Sequence, residues 1–373
     1  MWASRAQTRI FNDNTFKLGL FGMNCSGGLS LTRAPERWDA SWEHNVAAAR
    51  LADEAGLEFL LPIGRWHGYK GETDTQGTTF ETLTWACGLL ASTREITTFG
   101  TLHVAFINPV FAAKQIVTAD HIGRGRFGLN VVSGWNPLEF GSFGADLRDH
   151  DDRYAYSGEW LEVARKIWTE TEPFDHDGRF FKLKGVLGKP KPWWGSHPII
   201  VSAGNSPTGR AFAAANADCL FTTIPDLETV GPKIADFRAM ATDGRRRNMF
   251  ASAHLMARPT RKEALDYHHY IVHEMGDWEA AEYAANLRGD RIAPHLKANA
   301  SLKERLISGA GFPVIGSYDD VVDTFVKLSA AGVDGLACGM INYIDDFRHI
   351  AEGILPRMER AGLRRPKPVA ADR

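Results

Sequence analysis

The residues best suited to chemistry are neutral hydrogen-bonding groups at the ends of predicted strands. Thr101 and His103 close one apolar run, and Asn130 interrupts another, Phe127–Val132. A strand buried in a parallel sheet seldom carries an amide. Asn130 therefore either bonds a neighbouring backbone group or faces a site. His103 has two interpretations as well, a candidate base at a strand end or a histidine of the pocket wall or core.

The usual machinery of unaided catalysis is not recognisable in the sequence. We recognise no Ser-His-Asp arrangement and no pair of carboxylates at the ends of predicted strands. The sequence also shows no cluster of metal ligands, so we predict no metal site. The four cysteines are scattered and form no C-x-x-C motif, which argues against zinc and disulfides and predicts a reducing compartment. A set of neutral polar groups is expected where a bound cofactor carries the chemistry.

A candidate phosphate site follows another apolar run, 199–203. Gly204, Asn205 and Ser206 come directly before Pro207, which is typical of the first turn of a helix. The free N–H groups of a helix start bind anions, and Arg153, which opens another predicted helix, could add a charge-assisted bond. A plain helix cap by Ser206 explains the same residues equally well.

Strands and helices alternate along the whole chain, which predicts an α/β fold. Eight predicted strands without a second type of composition favour a TIM (β/α)8 barrel over a doubly wound sheet. The strands are expected near 16–22, 59–63, 96–102, 127–132, 199–203, 219–222, 250–257 and 335–340. We interpret 1–373 as a single domain with insertions near 136–151, 173–198 and 260–312, the last a helical excursion or lid.

Composition excludes several classes of protein. The 373 residues are 44% hydrophobic and 24% charged, as in an ordinary globular protein. The 43 Lys and Arg nearly balance the 45 Asp and Glu, so we predict no nucleic-acid partner and no attraction to an anionic membrane. The N-terminus lacks an apolar signal region, and no apolar run could span a bilayer, so we expect a cytoplasmic location.

Five motifs spread over nearly the whole chain carry a family resemblance. They are Gly-Arg-Phe-Gly-Leu-Asn-Val-Val-Ser-Gly-Trp at 125–135, Glu139, Asp-Asp-Arg-Tyr at 151–154, Lys-Pro-Lys-Pro at 189–192 and Ser-Ala-Gly-Asn-Ser at 202–206. Together they resemble the bacterial-luciferase-like, flavin-dependent monooxygenases. Within that family the chain is most similar to the branch that holds pyrimidine oxygenase and dimethylsulfone monooxygenase.

The resemblance implies a TIM barrel, reduced FMN (FMNH2) from a separate NAD(P)H:flavin reductase, O2 as co-substrate, and a homo-oligomer, either dimer or tetramer. A Thr and an Asn associated with placing oxygen near the flavin N5 match Thr101 and Asn130. An N5-peroxide is one oxygenated form that fits this pair. The other flavin contacts that the branch and the candidate phosphate site imply are Gly64, Arg65, Glu139, Arg153, Tyr154, Gly204, Asn205 and Ser206.

Two departures from the branch concern the substrate. His103 follows Thr101 in a segment less apolar than in the pyrimidine enzyme, and Trp66-His67 occupies a nearby loop. The paired-glycine pattern of sulfonate enzymes after the Asn strand is absent. We expect a two-component monooxygenase that oxidises or cleaves a small organic substrate, such as a sulfone, a heterocycle or a halogenated compound. The alternatives are an enzyme that fragments a heterocycle or a flavin, an F420-dependent dehydrogenase, and a non-catalytic flavin-binding subunit.

Overall fold

A computed structural model describes residues 5–287 and 300–366. Eleven strands lie in these residues. They are β1 (Lys17–Phe21), β2 (Phe59–Leu61), β3 (Thr97–His103), β4 (Phe127–Val132), β5 (Phe174–Asp177), β6 (Lys182–Val186), β7 (Ile199–Ala203), β8 (Cys219–Thr222), β9 (Asn248–Arg258), β10 (Phe312–Ser317) and β11 (Gly335–Gly339).

Eight of these strands form a closed parallel barrel in the order β1-β2-β3-β4-β7-β8-β9-β11. β11 pairs in parallel with β1, which closes the ring. The predicted TIM barrel is therefore confirmed. Because all eight strands run the same way, their carboxyl ends meet at one mouth, where active sites of this fold lie.

Helices follow the strands and surround the barrel. In the described residues they are α1 (Trp42–Ala55), α2 (Thr82–Ser92), α3 (Pro109–Ile122), α4 (Pro137–Ser142), α5 (His150–Thr169), α6 (Pro207–Asn216), α7 (Leu227–Ala239), α8 (Arg261–His269), α9 (Trp278–Leu287), α10 (Ala300–Ser308), α11 (Tyr318–Ala330) and α12 (Leu355–Arg360). Short π-helical segments precede α9 and α12. No helix within the described ranges combines the length and the apolar character needed to cross a membrane.

The inside of the barrel is filled by aromatic side chains below the mouth. The ring of Phe59 lies 6.2 Å from that of Phe99 and 5.1 Å from that of Phe250, measured between centroids. Residues alternate along a strand, so Thr101 follows Phe99 on the inner face while Leu102 packs against the outer helices. Thr101 and His103 therefore lie between these aromatic rings and the mouth of the barrel.

Two additions lie outside the barrel ring. β5 and β6 form an antiparallel hairpin, and Asp177-Gly178 opens the turn between them. After β9, helices α8 to α10 pack with Leu31, Tyr69 and Ile341 in a second apolar cluster. Residues 288–299 of the predicted helical excursion lie outside the described residues. The extent of the insertions and the single domain stay predictions.

β10 has no counterpart among the predicted strands. Among the described strands it pairs only with β9, in parallel, and so forms an edge beyond the barrel ring. Pro313 lies inside it, and a proline cannot donate a ladder hydrogen bond, which is tolerated at an edge. The same proline weakened the strand pattern in the sequence.

Candidate active site

A cavity of about 690 Å³ opens at the carboxyl ends of the barrel strands. Ten of the eleven predicted site residues line it, and Glu139 is the exception. The lining also contains residues that were not predicted as site residues, namely Phe21, Pro62, Ile63, Val132, Ser133, Gly134, Trp135, His150, Ala203, Phe221, Thr222 and Thr223. Most of these are the last residue of a strand or the first residue after it. Their position at the ends of predicted strands is therefore the feature of the sequence that could have identified them.

Thr101 and Asn130 form a buried pair on neighbouring strands. β3 and β4 are in register at these two residues. The Asn130 Nδ2 donates to Thr101 Oγ1 over 3.1 Å, and that hydroxyl donates to the Pro62 carbonyl oxygen over 2.6 Å. Since a carbonyl can only accept, the Thr101 hydroxyl must accept from Asn130.

This chain of bonds fixes which way the Asn130 amide points. Its nitrogen faces Thr101, and among the described residues its oxygen Oδ1 has no hydrogen-bond partner although it is buried. Buried polar atoms are nearly always paired, so a free one in a cavity wall is a place for a ligand donor. Asn130 thus bonds a side chain, and neither of its amide groups bonds the neighbouring backbone.

His103 is held neutral beside the pair. Burial, with a smaller contribution from the Arg65 guanidinium, lowers the pKa of its imidazole to about 4. The ring stacks on Phe106 with centroids 5.5 Å apart. Its Nε2 lies 3.9 Å from Glu139 Oε2. At neutral pH the ring therefore offers one donor and one acceptor and carries no charge.

Gly64 leaves the space that the His103 ring needs. A Cβ at position 64 would lie 2.9 Å from His103 Cε1 and 3.3 Å from Thr101 Cγ2. The first distance is shorter than real side chains tolerate, so a larger residue would displace the imidazole. Gly64 acts here through its lack of a side chain.

Arg65 and Glu139 form a buried ion pair in the cavity wall. Arg65 Nη1 lies 3.4 Å from Glu139 Oε1, and the two side chains are 8% and 1% exposed. The same carboxylate oxygen accepts from the Trp66 backbone N–H over 3.2 Å. Glu139 therefore lies behind Arg65, where it fixes the loop after β2, and only Arg65 reaches the cavity.

The other side of the cavity is built around the start of α6. Ser206 Oγ accepts from the Gly209 N–H over 3.0 Å, so Ser206 is a helix cap as well as a wall residue. Asn205 Oδ1 accepts from the Thr223 N–H over 3.2 Å, which ties this turn to the end of β8. A Cβ at Gly209 would meet the Tyr154 hydroxyl at 2.5 Å, so glycine allows the close approach of α5 to α6.

Arg153 completes this side. It lies in the first turn of α5, and its Nη1 donates to the Arg148 carbonyl oxygen over 3.1 Å. The half-buried guanidinium has further donors left for an anion. In the described part of the chain, no three His, Cys, Asp or Glu side chains come together as a metal site would require.

Comparison with known proteins places the chain in a family. The sequence profile of the luciferase-like monooxygenases matches residues 16–335. The FMNH(2)-dependent dimethylsulfone monooxygenase of Pseudomonas fluorescens (strain Pf0-1) is 30% identical over 343 residues, 89% of this chain and 92% of that protein. Pyrimidine monooxygenase RutA of Allorhizobium ampelinum is 28% identical over 356 residues, 92% of this chain and 96% of that protein.

Solved structures show the same fold. DmoA from Hyphomicrobium sulfonivorans superposes with a TM-score of 0.83 at 20% identity, over 93% of this chain and 88% of that one. The long-chain alkane monooxygenase LadA gives 0.82 at 22% identity, over 94% and 93% of the two chains. With most of its length matched by the family profile, the chain belongs to the luciferase-like monooxygenases, as the sequence motifs predicted.

Proposed function

We propose that the chain is the oxygenase component of a two-component system. In this proposal a separate NAD(P)H:flavin reductase supplies FMNH2, and the chain uses it with O2 to oxidise or cleave a small organic molecule. The observation that carries the proposal is the Thr101–Asn130 pair, which lines the cavity and contains a buried amide oxygen with no hydrogen-bond partner among the described residues. The name of the 30% identical relative, an FMNH(2)-dependent monooxygenase, supports the choice of cofactor.

The cavity fits FMN in size and in the distribution of its polar groups. A volume of about 690 Å³ is in the range of small-molecule and cofactor sites, roughly 300–1,000 Å³. The start of α6 and Arg153 would hold the phosphate, through backbone N–H groups and a guanidinium. The Asn130 amide oxygen would accept from an N–H of the ring. When bound, the reduced flavin supplies the electrons that activate O2.

The residues of the chain itself provide positioning and a neutral surrounding. Thr101 orients the Asn130 amide, because its hydroxyl accepts from Nδ2 while it donates to Pro62. The described lining contains no carboxylate. His103 is neutral at pH 7 because its pKa is lowered to about 4. Charge that develops here meets oriented dipoles and no strong acid, which favours oxygen transfer over early protonation.

The second contribution of the chain to the proposed reaction is the exclusion of water from the residues around Asn130. Thr101, His103 and Asn130 are each at most 8% exposed. Beside this region, the bond from the Trp66 backbone N–H to the Glu139 carboxylate joins the loop after β2 to α4. A dry site keeps a reactive cofactor from side reactions with water.

Anaerobic titration followed by oxygen uptake tests the proposal. We expect the purified chain to bind FMNH2 in preference to reduced F420, and to consume O2 when a flavin reductase regenerates FMNH2. Asn130→Ala should retain the fold but shift product from oxidised substrate to H2O2. The surface variant Asn286→Ala, whose side chain bonds only Glu282 among the described contacts, serves as the control. Preference for F420, or flavin binding with no oxygen uptake, would favour the alternatives.

The assembly is a separate part of the proposal. We propose a homodimer or homotetramer, which the family resemblance implies, and a cytoplasmic location, which the scattered cysteines predict. Light scattering of the purified chain measures the mass of the particle, for which the chain mass of 41.3 kDa is the reference. A mass of one chain would contradict the proposed assembly.

A further inference from the structure

The cavity has two chemically different sides. The α6 side is formed by Arg153, Tyr154 and Ser206, and the His103 side by Arg65, Thr101 and His103. If FMN uses the α6 side for its phosphate, the substrate must be recognised on the His103 side. The charge and polarity of the His103 side therefore bear on the class of substrate.

The cation on the His103 side is already neutralised. Each nitrogen of the Arg65 guanidinium has a partner: Nε donates to Gln76 Oε1 over 3.0 Å, Nη2 to the Tyr69 hydroxyl over 3.2 Å, and Nη1 contacts Glu139 at 3.4 Å. The buried carboxylate balances the charge. An anionic substrate would have to lose its hydration without gaining an unpaired cation, and such burial is costly.

A cationic substrate is disfavoured on the His103 side as well. Among the described residues that line the cavity there is no Asp or Glu. Glu139 is 1% exposed, and its charge is balanced by Arg65. Its Oε1 faces Arg65 and the Trp66 backbone, and its Oε2 lies 3.9 Å from His103 Nε2. A positive group on the His103 side would therefore lack a free counter-ion, so neither sign of charge is matched there.

Aromatic rings lead from this side to the surface. Phe106 stacks on His103, and Phe143 stacks on Phe106 with centroids 4.2 Å apart and planes 6° from parallel. Trp66 packs edge-on against Phe143 at 4.9 Å. Trp66 and Phe143, the outermost two, are 49% and 42% exposed. These three rings are not among the residues that line the cavity, and the stack adjoins it through His103. Rigid apolar rings beside a site favour apolar ligands at low entropic cost.

We infer, on the basis of the proposed function, that the substrate is an uncharged and largely apolar molecule that offers one hydrogen-bonding group to His103. A sulfonyl, carbonyl or amide group meets this description, whereas a sulfonate or carboxylate does not. His103 is then the residue that determines specificity. The Arg65–Glu139 ion pair makes the binding of anions unfavourable, because it leaves no unpaired cation for them.

Matched neutral and anionic probes test the inference by binding alone. Isothermal titration calorimetry measures the dissociation constants of two pairs of ligands for the chain saturated with oxidised FMN. The pairs are methyl phenyl sulfone with benzenesulfonate, and dimethyl sulfone with methanesulfonate. Within each pair the size is similar and the charge differs. We expect the neutral member to bind at least about tenfold more tightly, a difference of about 1.4 kcal/mol. Equal or tighter binding of the anions, or no binding of either sulfone, would overturn the inference.

Glu139→Gln provides a gain-of-function test. Glutamine keeps an oxygen for the Trp66 N–H but removes the charge that balances Arg65. Benzenesulfonate should then bind about tenfold more tightly than to the wild type, with little change for the sulfone. Glu162→Gln, which removes a carboxylate from the exposed pair with Lys166 on α5, is the control. Unchanged anion binding in a folded Glu139→Gln would contradict the role of the pair.

The order of the measurements separates two kinds of failure. FMN binding is measured first, without any substrate. If the wild type does not bind FMN, the result counts against the proposed function itself. FMN binding together with a preference for anions would count only against the inference about the substrate. If Glu139→Gln does not fold, the wild-type probe pairs still decide the question.

Discussion

The amide nitrogen of Asn130 donates to the hydroxyl of Thr101 across two neighbouring barrel strands, although 29 residues separate them in the chain. The Pro62 carbonyl fixes the direction of this bond, because it occupies the hydroxyl proton of Thr101. The two bonds connect β3 and β4 to Pro62, the residue that follows β2, in the wall of the cavity. The Asn130 amide oxygen has no hydrogen-bond partner among the described residues.

Removal of the Thr101 hydroxyl should damage both stability and coupling. Thr101→Val leaves the Asn130 N–H and the Pro62 carbonyl without their partner. Unpaired buried groups cost about 1–3 kcal/mol, so we expect the free energy of unfolding in urea to fall by that amount. We also expect a larger share of the consumed O2 to appear as H2O2. Thr101→Ser retains the hydroxyl, and loss of coupling in that variant to the same extent would argue against this account.

Alanine at position 64 should displace His103. The added Cβ would lie 2.9 Å from the imidazole, inside van der Waals contact. We expect Gly64→Ala to raise the KM for the substrate severalfold while FMN binding changes less, because the α6 side is not touched. Gly158→Ala on α5 is the matched control, since a Cβ there meets nothing within 4 Å and alanine favours a helix. Steady-state kinetics should show no change in that control.

The buried neutral His103 should make the protein sensitive to acid. Burial lowers the imidazole pKa from 6.5 to about 4, so between these values the unfolded chain binds a proton that the folded chain does not. Stability must then fall as the pH drops from about 6.5 towards 4. For this group alone we expect a loss of about 2 kcal/mol between pH 7.5 and pH 5.

Urea unfolding at these two pH values measures that loss. His103→Asn cannot titrate in this range, so its stability should depend less on pH than that of the wild type by the same amount. His254, buried with a pKa lowered to about 3, adds a loss of the same sign in both proteins and cancels in the comparison. An equal pH dependence of the two proteins would contradict the neutral state of His103.

Arg153 should distinguish FMN from riboflavin. If its guanidinium contacts the phosphate, Arg153→Gln should weaken FMN binding about tenfold and leave riboflavin binding unchanged, because riboflavin lacks the phosphate. Fluorescence quenching of the two flavins gives both affinities. Lys233→Gln on α7, a change at an exposed cation, is the control. Equal weakening for the two flavins would assign Arg153 to folding or to the ring instead.

The sequence by itself determined the barrel and many of its boundaries. The predicted limits of β4, β7 and β8 agree with the structure, because short β-branched runs bounded by glycine and polar turns have few other solutions. β10 was not predicted, because the sequence of an edge strand that contains Pro313 resembles that of a loop. The motifs also identified the family, which the profile match confirms.

Only the tertiary structure decided what the site residues touch. The sequence placed Asn130 in a buried strand, but its partner depends on the register of β3 against β4. Glu139 does not line the cavity but lies behind Arg65, because α4 packs onto the loop after β2, and its expected contact with the flavin stays a prediction. The lowered pKa of His103 likewise depends on burial by residues distant in the chain. Local patterns set strands and helices, whereas hydrogen-bond partners and protonation depend on long-range packing.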